Sequence, residues 1–312
     1  MMENNPPILT EEMQMFDYWS GVYSPADQHI DSLRAAYDAF QQHYTLPRNE
    51  EIQVEDTSLT LSSHSIDLRV FTPEGNAPKT GWAWIFYVHG GGNVVGSADS
   101  HEYIARQLAR DLKVKVFLPE YGLVPEFDWK QGQKDCVEAY QSIIEQLQIW
   151  NICSDKNAIV ADGSGVEIAL QLQQTLADQL QPKILALIFP SFMPQNSDDH
   201  PIQSLVYQIE DQNLMQNWTG ISAKSGLRHV PHLRSAIPTS FVAMTQYDCC
   251  AEANRELLAQ LQCLSATVEV HTGKGLRANC LPLLRDCHEV ASIYDALLKF
   301  FKLNILEINH SV

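Results

Sequence analysis

Apolar positions in the first 45 residues recur at helical spacing: Met15, Tyr18 and Trp19, then Ile30, Leu33, Tyr37 and Phe40. Ser24-Pro25 punctuates this pattern and predicts two helices rather than one. From about residue 51 the pattern shortens into strand-like apolar runs at 59–62, 66–71, 82–89 and 115–118. Helical stretches are predicted at 100–112 and 132–149, a strand at 158–161, a helix at 166–177 and a strand at 184–189. After a polar region come strands at 240–244 and 267–271, with a helix at 251–261 between them, and a last helix at 286–302. Strands alternating with helices of ten or more residues predict an α/β fold whose central sheet is mostly parallel and covered by helices on both faces. The polar stretch at 193–232 interrupts that alternation and reads either as a cap insertion or as a long surface connection. The expected organisation is an N-terminal helical cap segment, 1–50, followed by an α/β domain, 51–312, carrying the insertion.

Composition narrows the function classes. With 312 residues, 45% of them hydrophobic, the chain can bury one large core. The net charge is −17, from 38 acidic against 21 basic residues, and this field disfavours nucleic acid and anionic membrane surfaces as partners. No apolar stretch approaches the roughly 20 residues that span a bilayer, and residues 1–10 lack a basic segment leading into an apolar one. The expected location is the cytoplasm. The seven cysteines, Cys136, Cys153, Cys249, Cys250, Cys263, Cys280 and Cys287, show no paired spacing suited to zinc. Free thiols are expected, with no metal and no cofactor. Cys249-Cys250 reads as buried structural cysteine or, less commonly, as a redox pair or soft metal site.

The densest chemistry lies where the apolar run Phe86-Tyr87-Val88 breaks into His89-Gly90-Gly91-Gly92-Asn93. Consecutive glycines let backbone N–H groups approach a carbonyl oxygen that turns negative during acyl transfer. Downstream stand Glu120-Tyr121-Gly122-Leu123-Val124-Pro125-Glu126, then Asp135, Ala139-Tyr140, Tyr247-Asp248 and Phe300-Phe301. In this order the parts resemble the hormone-sensitive-lipase-like branch of the α/β hydrolases, and more closely its bacterial acetyl esterases, over about residues 50–302. The resemblance implies an α/β-hydrolase fold and an oxyanion hole built from Gly91, Gly92 and the amide of Ser164, with His89, Gly90 and Asn93 lining the pocket.

The resemblance also implies a nucleophilic serine in a Gly-Asp-Ser-Ala-Gly elbow, where this chain reads Ala161-Asp162-Gly163-Ser164-Gly165. Ungapped counting puts Gly163 at the nucleophile position; a register shifted by one residue puts Ser164 there instead. Asp248 follows a strand and precedes a helix, matching the triad acid, although aspartate at such a turn is also a common helix cap. The matching count for the triad histidine falls on Ala278, while His271 and His288 belong to neighbouring elements. A serine without a base is a poor nucleophile, and the aspartate serves only to orient that base. The leading expectation is a catalytically degraded hydrolase that binds a small ester-like ligand or a protein, with room for a homodimer. The alternative is a weak carboxylic-ester hydrolase on short acyl esters using Ser164. Thiol chemistry through Cys249 or Cys280 is a third reading and requires a depressed thiol pKa.

Overall fold

The computed structural model describes residues 8–192 and 230–306, apart from residues 24, 26, 28, 46, 48–50, 235, 249, 265 and 266. Two helices open the chain, α1 (Glu11–Val22) and α2 (Ile30–His43). Strands β1 (Ile52–Thr60), β2 (Ser65–Pro73) and β3 (Trp82–Val88) precede α3 (Glu102–Leu112), β4 (Lys115–Pro119), α4 (Trp129–Glu145) and the short α5 (Leu147–Trp150). Then follow β5 (Ile152–Asp162), α6 (Gly165–Thr175), β6 (Ile184–Ile188), β7 (Thr239–Tyr247), α7 (Ala251–Leu264), β8 (Val268–Arg277) and α8 (His288–Phe301). The eight strands form one sheet in the order β1-β2-β4-β3-β5-β6-β7-β8. Pairings β1–β2 and β2–β4 are antiparallel and the other five are parallel, so the α/β expectation holds.

Burial explains which strands were legible. Every residue of β3 and of β6 is buried, because helices cover both faces of the central strands, and such strands read as continuous apolar runs. β1 differs from expectation: it runs from Ile52 to Thr60, not over 59–62. It pairs only with β2 and buries Ile52 and Leu59 alone, so its polar residues hide it from an apolar scan. β5 and β8 also outrun the expected 158–161 and 267–271. The first half of each carries polar or half-exposed side chains (Asp155 and Lys156 in β5, Glu269 and His271 in β8) that interrupt the apolar signal.

One face of the sheet is packed by α3 and α8, through residues such as Ile104, Leu108, Leu297 and Phe300, and the N-terminal helices join that core through Met13, Phe16 and Phe40. The other face is packed by α4, α6 and α7 through Tyr140, Ile143, Leu172 and Leu257. Phe16 and Phe40 meet edge to face at 4.9 Å, which clips α1 to α2. Thr10 caps α1 by accepting from the Met13 amide and also donates its own amide to Gly275 at the end of β8. Arg34 of α2 donates to the carbonyls of Val94 and Val124 and grips Glu126 with both terminal nitrogens at 2.9 and 2.7 Å. α2 thus lies across the loops that follow β3 and β4. Most of the expected insertion, residues 193–229, lies outside the described residues.

Candidate functional site

The turn between β5 and α6 carries the elbow. Gly163 stands at φ +51°, a left-handed conformation that glycine adopts without strain. A Cβ built there would lie 3.6 Å from both Asn279 Oδ1 and Gly90 Cα, facing the gap between the glycine loop and the turn after β8. Two residues on, a Cβ at Gly165 would come within 2.4 Å of the carbonyl oxygens of Val88 and His89, so α6 can start this close to β3 only without a side chain. The tight positions of the elbow therefore fall on Gly163 and Gly165. Ser164 follows with helical angles, φ −73° and ψ −19°, at the start of α6. Its hydroxyl is turned toward the glycine loop, where it accepts from the Gly92 amide at 2.7 Å.

Beneath the elbow, Asp162 organises the glycine loop. Its Oδ1 accepts from the Tyr87 hydroxyl at 2.8 Å and the Gly90 amide at 3.2 Å, and its Oδ2 lies 3.5 Å from His101 Nε2. Burial pushes the Asp162 carboxyl up, but the His101 ring and the hydrogen bonds from His101 and Tyr87 outweigh that and hold it below the usual range. His89 stacks on Tyr121 at 4.3 Å and on His101 at 5.2 Å. Burial, with the neighbouring His101, pushes the His89 pKa down to about 3. His89 is therefore a neutral ring bonded through Nδ1 to the Gly90 carbonyl, with its buried Nε2 unpartnered. Asn93, at φ +61°, accepts from the Val124 amide with its carbonyl, while its buried Oδ1 has no partner.

The other expected site residues are placed as follows. Asp248, in the turn before α7, accepts from the Cys250 amide at 2.8 Å and from Asn254 Nδ2 at 2.5 Å. Ala278 is buried, and the side chain that faces Gly163 is that of its neighbour Asn279, at φ +63°. β8 continues through Arg277, and the left-handed turn at Asn279 decides which side chain swings to the elbow. His271 pairs with Glu269 at 2.7 Å on β8, and His288 is exposed at the start of α8. Burial pushes the Cys280 thiol up, opposite to what thiol chemistry there requires, and Cys249 lies outside the described residues. Among the described residues, Cys136, Cys153, Cys250, Cys263, Cys280 and Cys287 form no disulfide.

Sequence reasoning missed His101, Asn279 and the two α2 residues Tyr37 and Gln41. Together with Asp162 and Gly163 they enclose a cavity of about 10 Å³, room for a single water at most. An ester does not fit that space as it stands. The only sequence signal for these residues is the helical spacing that exposes Tyr37 and Gln41 on one face of α2; nothing local announces that this face meets the elbow. Among the described residues no group of three or more His, Cys, Asp and Glu side chains could hold a metal ion, and no helix is long and apolar enough to cross a membrane.

Residues 85–280, from β3 to the turn after β8, match the family model of the α/β hydrolase fold. The chain belongs to the α/β hydrolases. Within them it falls in the hormone-sensitive-lipase-like branch, as the order of its glycine loop, elbow and following turn suggested. An ethyl acetate hydrolase from Pseudomonas putida is 33% identical over 141 residues, a match spanning 44% of this hydrolase chain and 44% of that protein. Among solved structures, fungal esterases from Rhizomucor miehei superpose with a TM-score of 0.81 at 16% identity, covering 98% of this chain and 100% of theirs. An esterase from Pyrobaculum calidifontis gives a TM-score of 0.78 at 18% identity, covering 95% and 98%. At these identities the structural likeness establishes the fold.

Proposed function

We propose that this α/β hydrolase has lost its nucleophile and its general base and acts by binding a small ester-like ligand or a protein partner. One observation carries the reading: the residue at the elbow tip with left-handed backbone angles is Gly163, which has no hydroxyl to attack an acyl carbon. Three further features support it. Asn279, which faces that position, cannot take a proton as an imidazole does; Asp248 is engaged by the Cys250 amide and the Asn254 side chain; and the cavity at the elbow holds one water at most. Removing triad members from a working serine hydrolase lowers the rate by roughly four to six orders of magnitude.

The second reading, a weak carboxylic-ester hydrolase on short acyl esters, draws on the ethyl acetate hydrolase relative and on Ser164 beside the glycine loop. Intact-mass analysis after exposure to a fluorophosphonate probe separates the two. The expected result is no adduct on the folded protein. An adduct that disappears in Ser164→Ala overturns the binding reading in favour of the hydrolase. As a converse test, Gly163→Ser with Asn279→His should gain fluorophosphonate labelling: the space at residue 163 admits a Cβ, and the left-handed angles there are the strain the new serine must carry.

A further inference from the structure

The glycine loop of a hydrolase offers its amides to the oxygen of a ligand, but here one of those amides already has an acceptor. Gly92 N–H donates to Ser164 Oγ at 2.7 Å, a short and part-buried contact. Ser164 sits at the N-cap of α6, and its side chain makes no cap hydrogen bond to that helix. The hydroxyl thus passes over the usual role of a serine at a helix start and bonds across to the loop. Its oxygen stands where a carbonyl or carboxylate oxygen would accept from Gly92. Gly163 beside it contributes no side chain that would compete for that place.

We propose that the Ser164 hydroxyl is a built-in occupant of the oxyanion hole, which closes the Gly92 amide to carbonyl and carboxylate ligands until that hydroxyl turns away. The inference rests on the reading of Gly91, Gly92 and residue 164 as an oxyanion pocket and assigns its selectivity to one atom. A ligand oxygen that enters must displace an existing hydrogen bond, so neutral carbonyls, which form the weaker bond, are excluded more effectively than carboxylates. Ser164 then acts as a specificity-determining residue without touching the ligand's carbon.

The test is a titration with formate, the smallest carboxylate, followed at the Gly92 amide in ¹H–¹⁵N spectra of the full chain. In the unmodified protein the Gly92 resonance should stay in place as formate is added. In Ser164→Ala it should start from a different shift and move with formate saturably, with an affinity at least about tenfold tighter. Ser164→Thr, which keeps the hydroxyl, should restore the unmodified behaviour. Equal formate responses in the unmodified protein and Ser164→Ala would overturn the proposal, as would an unchanged Gly92 resonance between them. Should Ser164→Ala not fold, slow hydrogen exchange at Gly92 in the unmodified protein supports the capped amide, and exchange at the unprotected rate refutes it. A fluorophosphonate adduct at Ser164 would instead sink the binding reading and leave the amide measurement standing, so the two failures are told apart.

Discussion

Glu120 accepts from the Ala98 amide at 2.6 Å, and burial raises its pKa from an ordinary 4.5 to about 7, with Asp38 adding repulsion. The folded state therefore holds this proton more tightly than the unfolded chain does. Its contribution to stability is fully present below pH 4.5 and is lost as pH rises through 7, by about 3 kcal/mol. Glu120→Gln should remove that loss, so urea unfolding at pH 7.5 should show a more stable variant, and at pH 4 a near-equal one. His89 works in the opposite direction. Its folded pKa of about 3 lies below the ordinary 6.5, so its contribution is present above pH 6.5 and is lost as pH falls toward 3. Glycines divide in the same local way. Gly165→Ala drives a Cβ into two backbone carbonyls and should cost about 3 kcal/mol or more in urea unfolding. Gly21, inside α1, has nothing within 4 Å of its added Cβ, so Gly21→Ala should stabilise by up to about 1 kcal/mol. The sequence displays all four residues, but the sign of each effect is set by what the fold places, or leaves out, around them.

At the scale of elements, α2 is the part that most changes what the site can do. It presents Tyr37 and Gln41 to the elbow cavity and is tied down by Arg34, whose partners Val94, Val124 and Glu126 belong to the loops after β3 and β4. Arg34→Ala removes these charge-assisted hydrogen bonds and should lower the opening free energy of α2 by roughly 2 kcal/mol. Hydrogen exchange should accelerate over residues 30–43 while β3 and β5 keep their protection. Equal acceleration everywhere would mean that α2 opens only with the whole domain. The existence of α2 was legible from Leu33, Tyr37 and Phe40 at helical spacing; its position over the elbow was not, because helical periodicity names the buried face and not the surface it meets. The edge strand β1 failed for a related reason, since a strand partnered on one side needs few apolar residues.

For the whole molecule, the sequence by itself determined the class of fold and the place of the glycine loop. Buried central strands must be apolar throughout and their crossover helices amphipathic, so the alternation survives in the order of residues, and the glycine loop at 90–92 is a local motif with a local cause. The family match over 85–280 accords with the fold class. Only the tertiary structure decided which residues face one another at the elbow. A shift of one residue exchanges Ala278 for Asn279, or Gly163 for Ser164, and that choice rests on backbone angles at the ends of β5 and β8, set by packing against β3 and the glycine loop. The hydrogen bond from Gly92 to Ser164 and the filling of the elbow by α2 are likewise contacts between segments far apart in the chain. Periodicity records how each segment meets the core, and carries no record of how two such segments meet each other.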